Sequence, residues 1–144
     1  MKPSLKTLIF GFLAGVLAVI VFHQGMVFLL VLTKQSLNPA WNLSLRDGPI
    51  PIPVLVNQMF WGGLWGIVFA LLGHRIALAN VALRGLVFGL IGPNLLGNGF
   101  LVPLFRGSGQ FFWTWAPSRF VLGALIAGSF GIGVALFWNF LKKR

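Results

Sequence analysis

Four long stretches without a charged side chain decide what this chain can fold into. They cover residues 7–33, 48–73, 85–105 and 120–141. Each is close to the roughly 20 apolar residues that a helix needs to cross a hydrocarbon core about 30 Å thick. We therefore predict an all-α, polytopic membrane protein that forms a single domain over residues 1–144. Its four transmembrane helices are expected at about 7–33, 53–73, 81–105 and 118–141.

The overall composition excludes a water-soluble domain. Apolar residue types make up 58% of the 144 residues, and glycine adds another 19. Charged residues amount to 8%, whereas about 25% is usual in soluble proteins. So few charged side chains cannot cover the surface of a globule in water, which leaves lipid as the solvent.

The scarcity of acids and thiols excludes most catalytic and metal chemistry. Asp47 is the one acidic residue, and the chain has no cysteine and two histidines. Carboxylate pairs, hard-metal sites and thiolate sites therefore have no residues to form them. We expect neither a metal nor a cofactor, and no enzymatic activity. The basic residues are dispersed between the apolar stretches, so a nucleic-acid partner is also not expected.

Basic residues at the ends of the predicted helices give an orientation. Seven lie at one end: Lys2, Lys6, Arg75, Arg84, Lys142, Lys143 and Arg144. Four lie at the other: Lys34, Arg46, Arg106 and Arg119. The positive-inside rule then places both termini in the cytoplasm. The connection with Phe111, Phe112, Trp113 and Trp115 is expected at the outer interface, and anionic lipid is an expected partner at the cytoplasmic side.

The two halves of the sequence resemble each other. KTLIFGFL at residues 6–13 matches RGLVFGLI at 84–91, with an offset of 78. GGLWGIVFALL at 62–72 matches AGSFGIGVALF at 127–137, with an offset of 65. Two hypotheses remain open, a chance match between glycine-rich segments and a parallel repeat of two helical hairpins.

Small residues recur at four-residue spacing on every predicted helix. Such stripes let helix backbones approach closely inside a membrane. They support either packing among the four helices or contact with another subunit. The candidate packing residues are Gly11, Gly15, Gly62, Gly66, Gly85, Gly89, Gly123, Ala127 and Gly131.

Polar residues inside the predicted spans fall in the outer half of the membrane. They predict either hydrogen bonds between helices or a site for a headgroup, an anion or a small neutral solute. Arg119 is expected to reach the interface, Asp47 or a lipid phosphate. The candidates are His23, Gln24, Asn57, Gln58, Asn94, Asn98 and Arg119.

The third span and His23 each leave alternatives open. GPNLLGNGFLVP at residues 92–103 contains two prolines and predicts either a broken helix at a site or a kinked structural helix. Asn94 and Asn98 would share a face if the helix is regular. His23 is either a packing residue or a single axial ligand for haem or a pigment.

Two segments resemble a widespread type of small bacterial inner-membrane protein without an assigned activity. They are FHQG at residues 22–25 and FWGGLWG at 60–66. The resemblance covers mainly the first half and implies no catalytic or binding residues. The function expected from the residues is that of a non-enzymatic accessory or assembly subunit of a larger membrane complex, or of a homo-oligomer. The alternative is a small transporter or channel for an anion or a neutral solute.

Overall fold

The computed structural model describes residues 4–47, 50–112 and 117–144. All long secondary-structure elements in these ranges are helices. The helices are α1 (Leu5–Leu32), α2 (Val54–Arg75), α3 (Val81–Arg106) and α4 (Pro117–Leu141). All four are long and apolar enough to cross a membrane. Their ends lie within two residues of the positions expected from the sequence.

Local signals in the sequence explain where the helices begin and end. The Ser4 side chain accepts a hydrogen bond from the backbone N–H of Thr7 at 3.1 Å, and Asn80 accepts one from Leu83 at 3.1 Å. Each therefore caps the first turn of a helix. α3 ends at Gly107, whose φ of 60° is the left-handed conformation that glycine adopts easily.

α1 and α2 form one antiparallel hairpin, and α3 and α4 form a second. In the first, a Cβ on Gly15 would overlap the carbonyl group of Gly62. In the second, a Cβ on Gly89 would overlap the carbonyl oxygen of Ala127. One turn away, Gly11 faces Gly66 and Gly85 faces Gly131. The small residues of the stripes thus bring the backbones of each hairpin into direct contact.

The contacts of the two hairpins correspond residue by residue. Gly15 in the first helix of one hairpin corresponds to Gly89 in the first helix of the other, at an offset of 74 residues. In the second helices, Gly62 corresponds to Ala127, at an offset of 65. The offset of 65 is the one seen in the sequence. The sequence match with an offset of 78 lies four residues, or about one helical turn, away from the correspondence of the contacts.

The two hairpins meet mainly through α1 and α4. Phe22 of α1 packs against Gly133 and contacts the ring of Phe137, with 6.0 Å between ring centroids. The core is formed by Ala18, Val19, Phe69, Phe88, Phe130, Val134 and Ala135. α2 and α3 contact each other through Phe69 and Phe88, with 5.0 Å between ring centroids. A groove lies between the same two helices toward the end of the bundle that carries the α1–α2 and α3–α4 connections, called here the loop end. The opposite end, with Ser4 and Arg144, is called the terminal end.

Candidate functional site

A groove of about 890 Å³ lies between α2 and α3, and α1 and α4 close one side of it. Its walls are largely apolar. The main apolar lining residues are Val19, Trp61, Leu64, Trp65, Leu101, Val102, Phe105, Ile126 and Phe130. A groove with apolar walls and a few polar groups is the usual form of a ligand site.

Four of the polar residues singled out in the sequence line this groove: His23, Asn57, Gln58 and Asn98. They come from three different helices. Asn57 and Gln58 lie in the first turns of α2, and Asn98 is an exposed residue of α3. The structure therefore brings these side chains to one surface, and the binding of a ligand there stays a prediction.

Gln24 is buried directly behind the groove, with 2% of its surface exposed. Its side-chain oxygen accepts a hydrogen bond from the backbone N–H of Trp41 at 2.7 Å, which identifies the other end of the amide as the donor. That end donates to Gln58 Oε1 at 2.7 Å and to His23 Nδ1 at 3.3 Å. The side-chain oxygen and nitrogen of Gln24 are therefore both hydrogen-bonded. Because His23 Nδ1 accepts one of these bonds, a neutral His23 carries its proton on Nε2.

α1 widens into a π-helical turn at Val19–His23, beside the groove. Such a turn changes the regular pattern of backbone hydrogen bonds and is frequent at functional sites. Two carbonyl groups in this segment accept bonds from side chains outside α1. The indole of Trp41 donates to Ile20 O at 2.9 Å, and the hydroxyl of Ser129 donates to Phe22 O at 3.3 Å. The turn is thus held from both the α1–α2 connection and α4.

Trp41 anchors the α1–α2 connection in a strained conformation. Its φ is 49°, which is uncommon for a residue with a side chain. Its backbone N–H and its indole N–H both bond to α1, and its ring lies 6.0 Å from that of Phe28. These contacts fix the connection against α1 near the groove. This role of Trp41 was not predicted from the sequence, because it depends on contacts with residues 17 and 21 positions away.

α3 is continuous through GPNLLGNGFLVP, so of the two alternatives left open by the sequence the structure shows an unbroken helix. The segment Leu90–Leu101 is π-helical, with Pro93 inside it. Proline has no backbone N–H to donate, and the helix takes the wider π-helical pattern through this segment without breaking. Asn94 does not line the groove among the described residues, since it is buried against Gly123 of α4 with 1% exposure. Its Oδ1 has no hydrogen-bond partner among those residues.

Two arginines line the loop end of the groove, and the sequence did not single them out for this site. Arg106 is the last residue of α3, and Arg46 belongs to the α1–α2 connection. Both are exposed. Asp47 follows Arg46 in the chain but is not among the described residues that line the groove. Arg119 is exposed at the start of α4 and does not line this groove in the described parts of the chain either.

Trp61 and Trp65 were also missed, although a signal was present. They follow Asn57 at spacings of four and eight residues, which places all three on one face of α2. The expected aromatic contribution of Trp113 and Trp115 lies outside the described residues. No group of three potential metal-ligating side chains occurs in the part of the chain that the structure describes.

The site is thus a groove with a polar cluster toward the loop end and two arginines where it reaches that end. Its polar residues come from sequence-distant segments, and one glutamine behind them links His23, Gln58 and the α1–α2 connection. Compared with models of protein families, with curated proteins and with solved structures, the chain matches none.

Proposed function

We propose that this chain is a multi-pass integral membrane protein that binds a polar or anionic solute in the groove between α2 and α3. It is a small transporter or a non-enzymatic binding protein. The observation that carries the proposal is the convergence of four polar side chains and two arginines on one groove with apolar walls. No acidic residue lines this groove in the described ranges, so an anion would meet positive charge without a competing carboxylate.

The outer faces of the helices support membrane insertion. Between 22% and 39% of the most apolar part of each helix is buried inside the bundle. The remainder is half-buried or exposed and rich in large apolar side chains, with exposed examples at Leu29 of α1, Phe60 of α2, Ile91 of α3 and Val121 of α4. In water such surfaces would aggregate, whereas hydrocarbon solvates them.

The distribution of basic residues supports the orientation. Within the described residues, the terminal end carries six basic residues and the loop end carries four. We propose that the terminal end faces the cytoplasm of a bacterial inner membrane and contacts its anionic lipids. The groove then lies in the outer half of the membrane.

The proposal is tested by quenching of tryptophan fluorescence with iodide, an anion, in purified full-length protein. The contribution of the groove is the difference between the parent chain and Trp65→Phe. We expect saturable quenching that Asn98→Phe abolishes by filling the groove. Leu95→Phe, on α3 but away from the groove lining, is the matched control. Quenching that is linear in iodide and equal in the parent and Asn98→Phe would refute an anion site. Chloride flux from vesicles then separates a transporter from a binding protein.

A second proposal is an accessory subunit of a membrane complex, or a homo-oligomer. The stripes of small residues do not support this second proposal, because they pack within the hairpins. Phe60 and Trp61 favour it, because their rings meet edge to face and are 51% and 48% exposed beside the opening of the groove. A helix of another subunit could pack there. Stoichiometric recovery of one partner with the parent chain, lost in Phe60→Ala with Trp61→Ala, supports it, and a monomer purified without partners contradicts it.

A further inference from the structure

We propose that the ligand of the groove is one anionic phospholipid taken from the membrane leaflet at the loop end. Its phosphate lies between Arg46 and Arg106. One acyl chain lies along the apolar wall formed by Trp61, Trp65, Leu101 and Phe130. This inference rests on the function proposed above and names the class of ligand.

The length of the groove fits a lipid that stands in one leaflet. On α2 the lining extends from Val54, the first residue of the helix, to Val68. At about 1.5 Å per residue, these 14 steps cover about 21 Å. One leaflet contributes about half of a hydrocarbon core roughly 30 Å thick, and the headgroup region adds to that. The groove is therefore deep enough for a headgroup and most of one chain.

The polarity of the groove changes along its length as it does along a phospholipid. Arg46 and Arg106 lie at the loop end, and a guanidinium can bind a phosphate through two parallel hydrogen bonds. Asn57 and Gln58 follow within about 6 Å of the start of α2, where their amide groups can donate to ester carbonyls. Trp65 and Val68 lie deeper, where the lining is mainly apolar and Asn98, next to Gly97 against the Trp65 ring, is a polar member.

The apolar walls favour a lipid over a small soluble anion. An inorganic anion would bind at the arginines and leave the rings of Trp61, Trp65 and Phe130 without a ligand contact. Each buried methylene of an acyl chain would gain from contact with these walls. The charged end and the apolar depth of the groove therefore match two parts of one amphiphile.

The groove also gives a lipid a way to enter. Three large apolar lining residues are exposed on the outside of the bundle: Trp61 at 48%, Val102 at 38% and Phe105 at 74%. They belong to α2 and α3, on the two sides of the groove. A lipid can therefore enter sideways from the bilayer without its headgroup crossing hydrocarbon.

The test uses the full chain in phosphatidylcholine bilayers that contain phosphatidylglycerol with brominated acyl chains, which quench tryptophan. Brominated phosphatidylcholine at the same fraction is the reference lipid, and Trp65→Phe isolates the signal of the groove. We expect half-maximal quenching of Trp65 at about a thirtyfold lower fraction of the anionic lipid, because two basic residues near the membrane surface contribute about 1 kcal/mol each. Native mass spectrometry of lipids retained after delipidation gives a second measurement that needs no tryptophan.

Matched charge variants locate the headgroup. Arg46→Gln with Arg106→Gln should remove this preference for the anionic lipid. Lys34→Gln with Arg119→Gln lowers the charge of the loop end equally but away from the groove lining, and should keep the preference. Asn98→Trp should prevent retention of the lipid without any change in charge.

The outcomes separate this inference from the function on which it rests. Equal quenching by the two lipids, or equal loss in both charge variants, refutes the anionic lipid. Saturable quenching by iodide that inorganic phosphate prevents, with no quenching by brominated lipid, retains the anion site and refutes the lipid. Failure of iodide and of both lipids to reach Trp65 refutes the proposed function as well.

Discussion

Gly15 of α1 lies so close to Gly62 of α2 that a methyl group on Gly15 would overlap the Gly62 carbonyl. Backbone atoms cannot move aside as a flexible side chain can, so Gly15→Ala has to push the two helices apart. We expect it to lower the free energy of unfolding by about 1–3 kcal/mol, the range typical of overpacking. Denaturation of the purified protein in mixed detergent, followed by circular dichroism, measures this loss.

Gly25 provides the control on the same helix. A Cβ there meets no described heavy atom within 4 Å. Gly25→Ala should therefore leave stability unchanged or raise it slightly, since alanine favours the helix. The corresponding change in the second hairpin, Gly89→Ala, should cost about as much as Gly15→Ala. A large difference between these two would contradict the equivalence of the hairpins.

The helices were predictable because a transmembrane length is a local property of the sequence. The capping role of Asn80 was equally local, since it depends on residues three positions apart. The small-residue stripes predicted close packing but not which helices would meet. That choice depends on contacts between distant segments, such as Gly89 with Ala127.

The candidate site was predictable in part, for the same reason. Counting from the helix ends puts His23, Asn57 and Asn98 in the same half of the membrane, and the structure places them on one groove. The loop arginine Arg46 could not be assigned, because its position depends on how the α1–α2 connection folds back. Asn94 is buried, whereas Asn98 is exposed and lines the groove. Asn94 can be buried because Gly123 has no side chain and leaves room for its amide. Nothing near Asn94 in the sequence shows this.

Gln24 and Gln58 should be energetically coupled. Their side chains share a hydrogen bond of 2.7 Å between α1 and α2. A double-mutant cycle with Gln24→Ala and Gln58→Ala should give a coupling of about 0.6 kcal/mol, and no more than about 1.7 kcal/mol, as for other hydrogen bonds between helices in membranes. Unfolding in detergent measures it. Gln58 and the exposed residue Gln35 should show no coupling to each other, and a value near zero for Gln24 and Gln58 would contradict the bond.

Trp41 should control how firmly the α1–α2 connection is held. Trp41→Phe keeps an aromatic ring against Phe28 but removes the donor to the Ile20 carbonyl. We expect faster amide hydrogen exchange over residues 35–46, by about fivefold to tenfold, for the loss of one hydrogen bond worth about 1 kcal/mol. Exchange in the segment 76–80, at the terminal end, should stay the same. Unchanged exchange over 35–46 would show that the indole bond does not hold the connection.

The orientation predicts where reporters will work. A reporter fused after Arg144 that is active only outside the cytoplasm should be inactive. The same reporter inserted after Leu43, which is 67% exposed in the α1–α2 connection, should be active. The physical reason is the excess of basic residues at the terminal end. Activity of the Arg144 fusion alone would show the opposite orientation. Activity of the reporter at both positions would indicate a dual topology.

Asn94 should respond to an apolar substitution in the opposite sense from Gln24. Both amides are buried, but the oxygen of Asn94 has no partner among the described residues, whereas the amide of Gln24 makes three hydrogen bonds. An unsatisfied buried acceptor costs about 1–3 kcal/mol, and an apolar group of similar shape removes that cost. We therefore expect Asn94→Leu to leave the free energy of unfolding unchanged or to raise it by about 1 kcal/mol.

The same substitution at Gln24 should lower stability by about 1–3 kcal/mol, because Gln58 and the Trp41 N–H lose their partner. Both variants are measured by unfolding in detergent, with the exposed Leu95→Asn substitution on α3 as a reference for adding an amide outside the core. Gly123→Ala is the companion change, because its Cβ would lie 2.8 Å from Asn94 Oδ1. It should therefore destabilise the parent more than it destabilises the Asn94→Ala variant. A marked loss of stability in Asn94→Leu, similar to that of Gln24→Leu, would mean that the Asn94 oxygen has a partner in the folded protein.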